Sequence, residues 1–192
     1  MSTPTATSAD AIRIVRTETD AALQALADTG SDAIDALAEA VLDADRVFLL
    51  GAGRSGLALR MTAMRLMHLG LRVFVVGDTT TPAIERGDLL LTATGSGTTT
   101  GIVRAATTAR EVGAMVATIT TAPESPVAEL SRVVVAVPAA GKLDRSGAAS
   151  AQYAGSLFEQ TVVLLGDALF HALWQRSGAS ADDLWPRHSN LE

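Results

Sequence analysis

Apolar residues recur at helical spacing along the first part of the chain: Ile12, Val15, Leu23 and Leu26, then Ile34, Leu37 and Val41. Residues three and four apart share one helix face. Gly30 followed by Ser31 and Asp32 stops one helix and caps the next, so two N-terminal helices are expected over 10–44, after a loose tail at 1–9. From Arg46 the texture changes to short runs of aliphatic and β-branched residues: VFLL at 47–50, VFVV at 73–76, LLLTA at 89–93, MVATI at 115–119 and VVVAV at 133–137. Runs without polar alternation suggest strands covered on both faces. The segments Ser55 to His68, Thr98 to Val112 and Val127 to Leu130 read as helices between them. This alternation predicts an α/β fold over 45–138, a doubly wound five-stranded parallel sheet in a three-layer αβα sandwich. Residues 139–151, AAGKLDRSGAASA, read as a loop over one sheet edge. A long C-terminal helix is expected from Gln152 to Arg176, with Leu157, Val162, Leu165, Leu169 and Leu173 along its apolar side, and then a short helix and polar tail complete 152–192. With no internal repeat or low-complexity linker, the whole of 1–192 is expected to form one domain.

Composition narrows the partners. The chain has 192 residues, 48% hydrophobic and 19% charged, which suits one soluble domain with a substantial core. Its formal net charge of −6 argues against a nucleic-acid surface, which needs clustered Lys and Arg. It contains no cysteine, so thiolate metal sites and a Cys nucleophile are excluded. The histidines and carboxylates do not cluster at ligand spacing, and no metal is expected. No apolar stretch is long enough to span a membrane and the N-terminus is polar, so a cytoplasmic protein is expected.

Two glycine-rich loops carry the candidate chemistry. Thr94-Gly-Ser-Gly-Thr-Thr-Thr-Gly101 follows a predicted buried strand and opens a helix, leaving backbone N–H groups to seat an anion. The blander reading is a Thr-rich helix start with a tight turn. The earlier loop, Gly51-Ala-Gly-Arg-Ser-Gly56, fits the dinucleotide pattern G-x-G-x-x-G, with Asp78 where a ribose-binding acid would stand. Against a nicotinamide or flavin stand the lack of a second domain, the Arg54–Ser55 pair inside the loop, and the second loop's duplicate anion site. Ser96, Thr98, Thr99 and Thr100 offer hydroxyls suited to a terminal phosphate.

GAGRSGLALRMTAMRLMHLG, the run Thr81-Pro82-Ala83-Ile84, GDLLLTATGSGTTT, GSLFEQ at 155–160 and the terminal RHSNLE agree in order with one family. Together they resemble the sugar isomerase (SIS) domain family, of flavodoxin-like fold, and within it the 6-phospho-3-hexuloisomerases. The resemblance implies a cofactor-free isomerase interconverting 3-hexulose 6-phosphate and fructose 6-phosphate, in formaldehyde fixation or detoxification by the ribulose monophosphate pathway. It also implies a homotetramer, a dimer of dimers, with active sites shared between subunits. Position by position it puts the phosphate on Ser55, Thr94, Ser96 and Thr99, with Gly97 allowing close backbone approach. Gly53, Arg54, Thr98 and Tyr153 are candidate substrate contacts, although an Arg at a helix start is as often solvated. Thr98 stands where the family commonly has Glu, and Gln152-Tyr153-Ala154-Gly155 where relatives often have Pro-Met-Gly, so Tyr153 is a possible extra wall of the sugar pocket.

The implied reaction moves a proton between adjacent carbons through an enediol, which needs a carboxylate base. Glu159 is the family's candidate; alternatively it serves only the helix dipole in the first turn. His188 is a candidate acid/base or ring-opening group, in its own or a neighbour's cleft, or else a solvated tail residue. His68 reads as structural at a helix C-terminus and His171 as packing. Two other functions stay open: another phosphosugar isomerase, acting on a pentose or heptose phosphate, and a non-catalytic phosphosugar sensor.

Overall fold

The computed structural model describes residues 7–141, 144 and 146–191. The five apolar runs form five strands: β1 Val47–Gly51, β2 Val73–Val75, β3 Leu89–Ala93, β4 Met115–Thr120 and β5 Val133–Ala136. All pair in parallel, in the order β2-β1-β3-β4-β5. The runs lack polar alternation because each face of the sheet has its own core. Val47, Leu49, Leu89, Leu91, Ala117 and Ile119 point to one face, under helices α2 Ser31–Asp43, α3 Gly53–His68 and α6 Ser156–Ser177. Phe48, Leu90 and Val116 point to the other, under α4 Thr100–Glu111 and α5 Pro126–Glu129. That is the expected three-layer αβα sandwich. The first helix, α1 Ser8–Thr29, packs outside α6, and a short α7 Ala181–Leu184 with a 3₁₀ turn at Trp185–Arg187 closes the chain. Among the described residues, no helix is long and apolar enough to cross a membrane.

Two boundaries differ from expectation. Thr7 caps α1 in a reciprocal box with Asp10, so the helix begins inside the expected 1–9 tail, of which 1–6 lie outside the described residues. The long helix α6 begins at Ser156, not Gln152, because Ala154 takes φ 51 and Gly155 forms the cap, and neither backbone conformation continues a helix. Of the expected 139–151 loop, residues 142, 143 and 145 lie outside the described residues.

The strand order reverses between β1 and β3, and in open α/β sheets ligands bind beyond the carboxyl ends of the strands at such a switch point. Gly51 pairs with Ala93 across these strands, so the two glycine loops emerge side by side. The register is pinned at the opposite end. Arg46 grips Asp88 with two nitrogens, at 2.8 and 2.5 Å, and Asp88 also accepts from the Glu85 N–H at 2.7 Å. Burial pushes the Asp88 carboxyl up, but these hydrogen bonds and the Arg46 and Arg72 charges outweigh it and hold it below the usual aspartate range.

Candidate active site

In the second loop, two carbonyls are turned away from the cleft. The Gly95 carbonyl accepts from Thr120 and Thr121 hydroxyls, at 3.2 and 2.8 Å, and that of Gly97 accepts from the Val127 N–H at 3.2 Å. The chain turns sharply at Gly97, φ +64, where a Cβ would collide with Ser125. Only glycine meets both demands. In the first loop, Gly51 and Gly56 touch backbone to backbone; a Cβ on Gly51 would lie 2.8 Å from the Gly56 Cα.

Between the loops lies a cleft of about 170 Å³. Three helices begin at it: α3, α4 and α6. None has a side-chain cap hydrogen bond among the described residues; α2 and α5, which start elsewhere, also lack one, while α1 and α7 carry complete capping boxes. Uncapped N–H groups with the positive ends of helix dipoles are a lining suited to an anion. Ser55, Thr94, Ser96 and Thr99 stand on this lining with Gly53 and Arg54, and Glu159 faces them from the first turn of α6. Thr94 and Thr99 hydroxyls lie 3.4 Å apart. Seven of the eleven residues singled out from the sequence thus line one cleft, although they come from three separate stretches of chain.

The other four lie off its wall. Gly97 acts through the turn. Thr98 sits behind it, its N–H and hydroxyl donating to the Ser96 oxygen at 3.3 and 3.1 Å, so it orients Ser96. Tyr153 does not line the cleft: it is 89% exposed in the approach to α6, ahead of the turn at Ala154. His188 does not line it either; it stacks on His68, at the far end of α3. His68 is buried with no hydrogen-bond partner for Nδ1 among the described residues, and its burial, then the nearby His188 and Arg65 charges, hold its pKa below the usual histidine range. Asp78, which the glycine spacing offered to a ribose, is instead paired with Arg60 at 2.7 Å.

Two features were not singled out from the sequence. Arg54 Nε lies 2.6 Å from Glu159 Oε2, joining the first loop to the candidate base. Glu18, on α1, accepts from the Ser150 hydroxyl at 2.6 Å, the Ala151 N–H at 2.7 Å and the Gln152 amide at 3.0 Å. Gln152 in turn accepts from Gln160, which neighbours Glu159, at 2.8 Å. Glu18 therefore ties down the segment leading into α6. An acidic residue on α1 carries no local sign of a tie to residues so distant in sequence, so only the fold could reveal it.

Residues 40–163 match the model of the SIS domain. A Mycobacterium gastri 3-hexulose-6-phosphate isomerase is 56% identical over 156 residues, covering 81% of this chain and 78% of the relative. A 3-hexulose-6-phosphate isomerase of Bacillus subtilis is 36% identical, covering 82% of this chain and 86% of the relative. Among solved structures, a Methanococcus jannaschii protein superposes with a TM-score of 0.80 at 28% identity, covering 95% of this chain and 99% of the other; its structure was taken to infer a molecular function of 3-hexulose-6-phosphate isomerase.

Proposed function

The chain belongs to the SIS domain family, and from that premise we propose that it isomerises 3-hexulose 6-phosphate to fructose 6-phosphate in this cleft. The observation that carries the reading is the convergence of three uncapped helix starts and four hydroxyl side chains opposite one carboxylate. The helix starts, with Ser55, Thr94, Ser96 and Thr99, hold the phosphate and so set the distance from Glu159 to the reacting carbons, a positioning task. Glu159 takes the proton from C2. The enediol that results is reprotonated at C3 while the hydroxyl proton passes from O2 to O3, so the ketone moves from C3 to C2 with no net change in atoms or electrons.

The same reading makes the protein a cytoplasmic enzyme of formaldehyde fixation or detoxification, working as a dimer of dimers. Exposed apolar residues along α3, Leu57, Met61 and Met64, support association. His188 then serves a neighbouring subunit's cleft.

The test is a coupled assay of fructose 6-phosphate formation from enzymatically made 3-hexulose 6-phosphate. Glu159→Gln should lower kcat by about 10²- to 10⁴-fold, the usual worth of a general base. Full activity in that variant would remove Glu159 from the chemistry. No turnover by the unaltered protein, with sugar phosphate still protecting it from heat, would make it a sensor.

A further inference from the structure

The candidate base is already engaged. Glu159 Oε2 lies 2.6 Å from Arg54 Nε, and among the described residues Arg54 has no other carboxylate partner. To take a proton from carbon, a carboxylate must present an oxygen to the substrate, and a guanidinium on that oxygen competes with the proton it is to receive. If the pair persisted through turnover, Arg54 would oppose the step Glu159 is placed to perform.

Two observations and the chemistry of phosphate point to a pair that opens. The Arg54 side chain is 64% exposed and that of Glu159 21%, so little packing holds the arginine, and ion pairs with an exposed partner are weak. Arg54 precedes Ser55 at the start of α3, on the lining that seats the anion. A phosphate monoester brings up to two negative charges and three acceptor oxygens, which a planar guanidinium binds with two nitrogens at once. It is a stronger partner than one carboxylate oxygen.

We propose that Arg54 is an exchangeable partner: in the resting protein it neutralises Glu159, and the arriving phosphate draws it away and leaves the carboxylate free to act. Arg54 is on this account a positioning residue that couples phosphate seating to release of the base. The proposal rests on the reading of the cleft as a phosphate seat. It explains why a strong cation stands beside a base, and it makes binding energy at the unreacting end of the substrate count in kcat.

The test needs no turnover. Binding of inorganic phosphate is measured by calorimetry to the unaltered protein, Glu159→Gln, Arg54→Gln and the double variant. Removing the competing carboxylate should tighten phosphate binding about twofold to fivefold, the worth of a partly exposed ion pair. With Arg54→Gln already present, the same change should have no effect. An equal gain in both backgrounds would mean that the carboxylate merely repels the anion, and no gain in either would mean a static clamp; both results overturn the exchange. Arg54→Lys, which keeps the charge but not the two-nitrogen fork, should retain only part of the coupling while still binding phosphate, separating the effect from a folding defect. If phosphate binds but the two substitutions act independently, the exchange fails and the proposed function stands. If phosphate binds none of the four proteins, the seat fails, and the exchange with it.

Discussion

The imidazole of His188 stacks on that of His68, with ring centroids 3.9 Å apart and planes 25° apart. His68 ends α3, whereas Arg54 and Ser55 begin it. At a rise of about 1.5 Å per residue, the two ends are separated by about 22 Å. His188 therefore lies outside its own chain's cleft, which is the basis for proposing that it serves another subunit's. Glu159→Gln and His188→Gln should each lose activity, by about a hundredfold or more. Oligomers reassembled from a mixture of the two should regain activity that neither has alone, because some clefts then combine an intact Glu159 with an intact His188. If both variants assemble and no mixture gains activity, His188 is only a stacking partner.

Glu18 should matter to both stability and substrate binding, although it lies outside the cleft. Glu18→Ala removes three hydrogen bonds from the segment at 150–152 and should cost about 1–2 kcal/mol at neutral pH, a few degrees in Tm, with a several-fold rise in KM. Burial pushes the Glu18 carboxyl up, but the hydrogen bonds from Ser150, Ala151 and Gln152 outweigh it and hold it below the ordinary value of 4.5. A carboxyl lowered on folding stabilises fully above its unfolded value, and this is lost as pH falls through the folded one. The Tm gap between variant and unaltered protein should therefore be constant above about pH 5 and shrink below 4.5. A gap independent of pH would mean that the charge on Glu18 is irrelevant.

Gly97 lies in the loop and Gly101, four residues on, in the first turn of α4, and substitution should separate them. Gly97→Ala meets a φ of +64 and a collision with Ser125, while a Cβ on Gly101 has nothing within 4 Å. The first should cost about 1–3 kcal/mol of stability and weaken phosphate binding. Gly101→Ala, within a helix, should leave stability unchanged or raise it by up to about 1 kcal/mol. Equal behaviour in thermal melts and phosphate titrations would show that the turn at Gly97 is not what shapes the seat.

The strands and the two glycine loops were legible in the sequence for local reasons. Burial on both faces forces a run such as LLLTA to omit polar residues, and a turn of positive φ admits glycine almost alone, so both leave marks where they act. The start of α6 is not marked in the sequence, because apolar spacing continues through Tyr153 and the break depends on the backbone at Ala154 and Gly155. That break also explains why Tyr153 does not wall the cleft. The dinucleotide pattern around Gly51 was a true glycine turn, but its expected acid, Asp78, is occupied by Arg60.

By itself, the sequence determined the layers of the fold, the pairing of apolar runs with helices, and the residue types that can seat a phosphate, because hydrophobic period and glycine conformation are properties of a few adjacent residues. Only the tertiary structure decided which of those residues meet. The β1–β3 switch point sets Ser55 beside Thr94 and Ser96, the packing of α6 on α3 brings Glu159 onto Arg54, and the length of α3 puts His188 at the opposite end from its own cleft. Those meetings depend on contacts between distant parts of the chain, for which no local pattern stands.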